Sequence, residues 1–254
     1  MADPTSVLLI LLVSAFVPPL LFLGVIRKTE RYGQEPLGRV LRTFLWGAIF
    51  AVIIAVILSV ILIYVFQSVE SLNPQLTGPD PRIELIVLAL IIAPITEEFA
   101  KGVGVFLARP MIDEPEDGIV YGAASGLGFA ASENLLYGLA ALAASGSVAV
   151  SLLVIGVRSI SSALLHASAS ATFGYGIARN RLWPQQVKVL PYYLLAVGMH
   201  AGFNLLASLS ELYTGPGGDA AALIGLVGAI GLAVVAFALI RARIVAEDER
   251  HVTT

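Results

Sequence analysis

The chain has 254 residues, 57% of them hydrophobic and only 13% charged, with a net charge of −3 and a mean hydropathy of +0.88. A soluble domain carries about 25% charged residues, so the composition excludes an ordinary globular domain and implies a polytopic membrane protein. There is no cysteine, which removes disulfides, a thiol nucleophile and thiolate metal ligands.

Seven apolar runs meet the length of about 20 residues that a spanning helix needs. The first, 6–26, contains Pro18 and Pro19, which should bend it or begin its second half. It lacks a basic leader and is followed at once by Arg27, Lys28 and Arg31, so it reads as an uncleaved anchor. The second run is 40–66, and the turn-rich loop N-P-Q-L-T-G-P-D-P follows it. The third, 83–108, carries Glu97, Glu98 and Lys101, with Pro94 just upstream expected to kink the helix. A short acidic loop (Asp113, Glu114, Glu116, Asp117) leads to the fourth run, 119–144. Its small residues, as in G-A-A-S-G-L-G, permit close helix packing, and it also holds Glu133 and Asn134. The fifth, 148–177, contains Arg158, serines including Ser161 and Ser162, and His166. The sixth, 189–209, carries His200 and Asn204, and the seventh, 220–240, has no ionisable residue.

The loop charges give an orientation. Arg27, Lys28, Arg31, Arg39, Arg42, Arg109, Arg179, Arg181, Lys188, Arg241, Arg243 and Arg250 fall on one side, and only Arg82 on the other. The positive-inside rule then predicts an external amino terminus and a cytoplasmic carboxy terminus. The expected architecture is all-α: a polytopic transmembrane helix bundle of about seven helices, forming one integral membrane domain over 1–254 with a working core at 83–211.

An ionised side chain near the membrane centre costs roughly 3 kcal/mol. Glu97, Glu98 and Lys101 must therefore face a protein interior and find partners. Lys101 is four residues from Glu97 and three from Glu98, so it can reach either. One carboxylate is left over, and it is the first candidate for chemistry. With directions assigned, Glu97, Glu98, Glu133, His166 and His200 fall at similar depth. Phe129 and Glu133, His166 and Ser170, and His200 and Asn204 are each four apart and share a helix face. A histidine with an amide one turn away can be held in one orientation, or both can donate to one oxygen as an oxyanion hole requires. Arg158 reads as a snorkelling or structurally paired residue nearer the outer surface, and Ser161 and Ser162 as packing contacts.

E-E-F-A-K at 97–101, G-F-A-A-S-E-N at 128–134, H-A-S-A-S at 166–170 and H-A-G-F-N at 200–204 resemble the motifs of the PrsW family of intramembrane proteases. They are more distantly similar to the CAAX-protease and bacteriocin-processing group, with its paired-glutamate, F-x-x-x-H and H-x-x-x-N/D motifs. The resemblance covers roughly half the chain. Where the CAAX group has histidine after F-x-x-x, this chain has Glu133, as PrsW-like sequences do, and the imidazole is left to His166.

The resemblance implies an intramembrane endopeptidase. Glu97, in preference to Glu98, would be the general base on a water. His166 would position that water or protonate the leaving amine, His200 and Asn204 would stabilise the oxyanion, and Glu133 would orient a histidine. Lys101, Phe129, Asn134 and Ser170 would support them. This reading favours no cofactor; its alternative is zinc held by His166, His200 and Glu97. There is no H-E-x-x-H, no aspartate inside a membrane run, and G-A-A-S-G around Ser125 is one residue off a rhomboid G-x-S-G. The implied partners are the lipid bilayer and a membrane-anchored protein or peptide substrate, with no nucleic acid, in a prokaryotic plasma membrane. The other classes open to such a polar cluster are an ion- or proton-coupled transporter and a non-catalytic membrane scaffold.

Overall fold

A computed structural model describes residues 3–72, 82–213, 215 and 217–253. The turn-rich segment expected at 73–81 lies outside the described residues. In hydrocarbon a backbone must satisfy its own polar groups, and among the described residues every regular element is a helix.

Helix α1 (Pro4–Thr29) is capped by Asp3, whose carboxylate accepts from the Ser6 backbone N–H at 3.2 Å, and it runs unbroken through Pro18 and Pro19. Helix α2 (Leu37–Leu45) continues through a π-helical turn (Trp46–Ala51) into α3 (Val52–Leu72). The glutamate-bearing run is α4 (Arg82–Val87), a second π-helical turn (Leu88–Ile92) and α5 (Ala93–Ala108). Pro94 has no N–H to donate, and the expected distortion is present as the π turn directly before it.

Helix α6 (Pro115–Ser145) opens with a capping box between Glu114 and Asp117 and ends at Gly146 with φ 66°, a left-handed conformation that suits glycine. The expected single helix over 148–177 is broken. It is α7 (Val148–Ile160), then Ser161 at φ −120° and ψ −78°, then α8 (Ser162–Leu182). Helix α9 (Leu190–Ala207), the short α10 (Leu209–Leu212) and α11 (Gly218–Thr253) complete the chain.

Among the described residues, six helices are long and apolar enough to cross a membrane: 4–29, 37–69, 115–145, 148–182, 190–207 and 218–250. The run expected as the third of seven spans, interrupted by its π turn and three charges, is not among them. The seventh expected run sits inside the longer α11, which brings Asp248 back onto the Arg31 and Tyr32 backbone N–H groups, both at 3.0 Å.

Helix α6 is the centre of the bundle. Gly118, Gly122 and Gly126 repeat every four residues on the face against α8, where a Cβ at Gly122 would strike the Ser170 carbonyl and one at Gly126 the His166 carbonyl. On another face Gly128 lies against the Phe44 carbonyl. Without a hydrophobic drive between helices in lipid, such backbone-to-backbone approach is what binds them. Helix α3, by contrast, turns Ile53, Val56, Ile57, Val60 and Ile61 outward, as a lipid-facing helix does.

The acidic segment expected as a loop is drawn into the structure. Glu116 and Asp117 are buried, and Asp117 accepts from the Asp113 and Glu114 backbone N–H groups at 2.7 and 2.8 Å. Beside them Glu30 accepts from the Glu35 N–H at 2.8 Å through one oxygen, while its other oxygen is buried with no hydrogen-bond partner. Burial, reinforced by Asp117, Glu35 and Glu116, pushes the Glu30 carboxyl up to about 8.

Candidate active site

Four helices deliver the polar groups that the sequence singles out. Helix α5 brings Glu97, Glu98 and Lys101; α6 brings Phe129, Glu133 and Asn134; α8 brings His166 and Ser170; α9 brings His200 and Asn204. The two glutamates differ sharply. Lys101 Nζ donates to Glu98 Oε1 at 2.6 Å and stands 3.6 Å from Glu97 Oε2. Glu98 also takes His200 Nδ1 on Oε1 and the Ser170 hydroxyl on Oε2, each at 2.9 Å. Glu98 and Lys101 are wholly buried. A charge pair that far from water persists only when its remaining valences are filled, and those contacts fill them.

The network fixes both imidazoles. A lysine ammonium only donates, so His166 Nδ1, 2.8 Å from Lys101 Nζ, is the acceptor. The proton of His166 is then on Nε2, which donates to Glu133 Oε2 at 2.9 Å. A carboxylate only accepts, so His200 carries a proton on Nδ1 towards Glu98, which leaves Nε2 on the opposite side of the ring. That nitrogen lies 3.8 Å from Glu97 Oε2, and this oxygen is buried without a hydrogen-bond partner. The rings of His166 and His200 meet edge to face at 4.8 Å. Phe129 packs on His166 at 5.4 Å and lies under the Lys101 ammonium at 4.5 Å.

Arg158, left outside the site by sequence reasoning, is part of it. Its Nη2 is 2.7 Å from Glu133 Oε2 and donates to the Ser162 hydroxyl at 3.1 Å. Its Nε donates to Asn134 Oδ1 at 3.1 Å. Ser162 is thus a polar partner as well as a packing residue. The available signal was charge balance: three carboxylates share an apolar layer with one lysine, and Arg158 is the remaining cation of those runs. Asn204 has a partner that its spacing from His200 does not reveal, the Ala89 carbonyl of the second π turn, at 2.8 Å. Ser125 donates its hydroxyl to the Lys101 carbonyl at 2.9 Å.

The burial is graded across the site. His166 and His200 are about as sealed as Glu98, whereas the Glu97 and Glu133 side chains are 13% and 20% exposed. Of the three carboxylates in the network, Glu97 and Glu133 retain exposed surface and Glu98 does not. Ligand atoms of Glu97, His166 and His200 lie within 4.8 Å of one another, close enough to share one metal ion.

A family model described as PrsW family intramembrane metalloprotease matches residues 35–243. The chain is 28% identical over 187 residues to Protease PrsW of Clostridioides difficile (strain 630), an alignment covering 72% of this chain and 71% of that relative. It is 32% identical over 204 residues to Protease PrsW of Geobacillus kaustophilus (strain HTA426), covering 79% and 81%. No solved structure matches the chain significantly.

Proposed function

The chain belongs to the PrsW family of intramembrane metalloproteases, and from that membership we propose that Glu97 and His200 hold the group that attacks a peptide bond of a membrane-anchored protein or peptide. It is an integral membrane protein with bacterial relatives, so its substrate is membrane-associated. We carry the external amino terminus and cytoplasmic carboxy terminus within the same proposal, which requires the charged run at 82–108 to cross as a seventh span.

One observation carries the reading. Glu97 Oε2 and His200 Nε2 face each other across 3.8 Å, and the oxygen is buried with no hydrogen-bond partner. A buried carboxylate oxygen in that relation calls for a proton donor or a cation beside it. The charge count agrees, because Lys101 and Arg158 offset two of the three carboxylates and leave Glu97 over.

The residues fit a zinc ion. Glu97, His166 and His200 form a one-oxygen, two-nitrogen donor set, which is a known catalytic arrangement for that metal. Glu98 on the far nitrogen of His200 is the outer carboxylate that typically orients a ligating histidine. His166 would exchange one of its two hydrogen bonds to join. Zinc bound there would acidify a water and polarise the scissile carbonyl.

The chain's own residues handle the protons. Without an ion Glu97 takes a proton as the water oxygen bonds to the carbonyl carbon, and returns it to the amine nitrogen as the C–N bond breaks. Glu133 orients His166, accepting from its Nε2–H at 2.9 Å. Asn204 holds the Ala89 carbonyl and so braces the π turn that leads into Glu97. The transporter and scaffold readings draw on nothing beyond the polar cluster itself.

The test uses purified protein in detergent with fluorescent, unfolded β-casein as the probe. Cleavage should depend on Glu97 and His200, and zinc should co-purify and be stripped, together with turnover, by a strong chelator. Turnover that survives chelation in zinc-free protein removes the metal from this reading. Casein cleavage unaffected by both Glu97→Gln and His200→Ala removes the site itself.

A further inference from the structure

We propose that Arg158 is a positioning residue for this reaction, clamping the Glu133 carboxylate onto His166 Nε2 so that the imidazole is held in one orientation and one tautomer. The inference rests on the proteolytic reading of the site. An arginine that merely snorkels sends its guanidinium to the water layer. Arg158 sends its head inward and spends it on the chain: Glu133, Asn134 and Ser162 all receive it within 3.1 Å, and it stacks 3.7 Å over the Tyr137 ring.

The break at Ser161 makes this reach feasible. Arg158 lies in the last turn of α7, and the backbone leaves helical geometry at Ser161 before α8 begins at Ser162. Arg158 and Ser162 therefore flank the break, and one guanidinium nitrogen ties Ser162 to Glu133. His166 is one further helical turn along α8 from Ser162. Asn134, which braces the guanidinium, is itself 3.5 Å from the Ser159 hydroxyl.

A single atom links the clamp to the site. Glu133 Oε2 receives both Arg158 Nη2 at 2.7 Å and His166 Nε2 at 2.9 Å. The Glu133 side chain is one-fifth exposed and can turn toward the opening when nothing holds it. Losing the guanidinium therefore releases the acceptor on which the Nε2–H of His166 depends, while Lys101 continues to engage Nδ1. Arginine suits the place because its planar fork serves several acceptors at once, which a lysine ammonium on a flexible stem does less well.

The test is nuclear magnetic resonance of the full chain labelled with 15N-histidine in detergent, alongside casein turnover. The chain has only His166, His200 and His251. In wild type, His166 should show one neutral tautomer with a slowly exchanging Nε2–H. In Arg158→Gln that signal should broaden or exchange rapidly, while the Nδ1–H signal of His200, held by Glu98, stays and certifies the fold. The kcat should fall about 10- to 100-fold, the usual range for losing an outer-shell partner, with KM unchanged. Arg158→Lys should restore the His166 signal and part of the turnover. An unchanged His166 signal in Arg158→Gln overturns the proposal, as does a lost signal with unchanged kcat. Loss of the His166 and His200 signals together, in both variants, also overturns it by showing general damage to the fold. Because the tautomer is read without substrate, failure of the clamp is separable from failure of the proteolytic reading, which Glu97→Gln tests alone.

Discussion

Lys101 Nζ meets Glu98 Oε1 at 2.6 Å in a setting closed to solvent, and this pair divides the labour between the two adjacent glutamates. Glu98 is structural wiring with three partners. Glu97 is left facing His200 with an oxygen that makes no hydrogen bond.

The division is measurable as stability. Removing one member of a buried ion pair costs roughly 3–5 kcal/mol, and the amide of Glu98→Gln retains one acceptor, so the lower end, about 3 kcal/mol, is expected. Thermal unfolding in detergent should show a marked drop in midpoint for Glu98→Gln. Glu97→Gln should hold or raise the midpoint, since it replaces a carboxylate oxygen that has no hydrogen-bond partner. Equal losses in the two variants would contradict the assignment.

Gly126 tests the packing that delivers His166. A Cβ at this position would collide with the His166 carbonyl, whereas one at Gly156 would meet nothing within 4 Å. Gly126→Ala must push α8 away from α6 and should abolish cleavage although no polar group has changed. Gly156→Ala in α7 should leave turnover intact and stabilise by up to about 1 kcal/mol through helix propensity. Comparable turnover in the two variants would dissociate the helix contact from the site.

Asn204 separates two roles. Deleting an oxyanion donor costs about 100- to 1,000-fold in kcat. Its amide is engaged with Ala89 at 2.8 Å, so Asn204→Ala should lower the unfolding midpoint, by roughly 1 kcal/mol for a lost hydrogen bond, with kcat reduced less than about 10-fold. A loss beyond about 100-fold at unchanged stability would restore the oxyanion role.

Glu30 sets a pH dependence of stability away from the site. Its carboxyl is raised by burial from 4.5 to about 8, with Asp117, Glu35 and Glu116 adding to the shift. Between those values the folded state holds a proton that the unfolded state has released, so stability falls as pH rises. The contribution is complete below 4.5 and lost as pH passes about 8. Unfolding midpoints of wild type should decline across that window, and Glu30→Gln should flatten the decline. An identical slope in both proteins would remove Glu30 as its source.

The sequence exposes the members of the site because ionisable groups are costly in lipid and few are present. Glu97, Glu98, Glu133, His166 and His200 stand out against an apolar background, and the structure brings them within mutual reach. Helical spacing left open which glutamate Lys101 would choose, since three- and four-residue separations are equally reachable; tertiary contacts from His200 and Ser170 select Glu98. Arg158 was illegible for a different reason. Hydropathy assigns depth along an assumed continuous helix, and no glycine or proline lies within four residues of Ser161 to announce the break there. The buried place of Glu116 and Asp117 was hidden likewise, because the acidic groups beside them, Glu30 and Asp248, are remote in sequence.

The most direct measurement is casein cleavage by Glu97→Gln in protein shown to unfold at or above the wild-type midpoint. The expected result is turnover at the uncatalysed background, with the His200 Nδ1–H signal unchanged. Cleavage at the wild-type rate by that folded variant would mean that the open carboxylate beside His200 is not where the peptide bond is attacked.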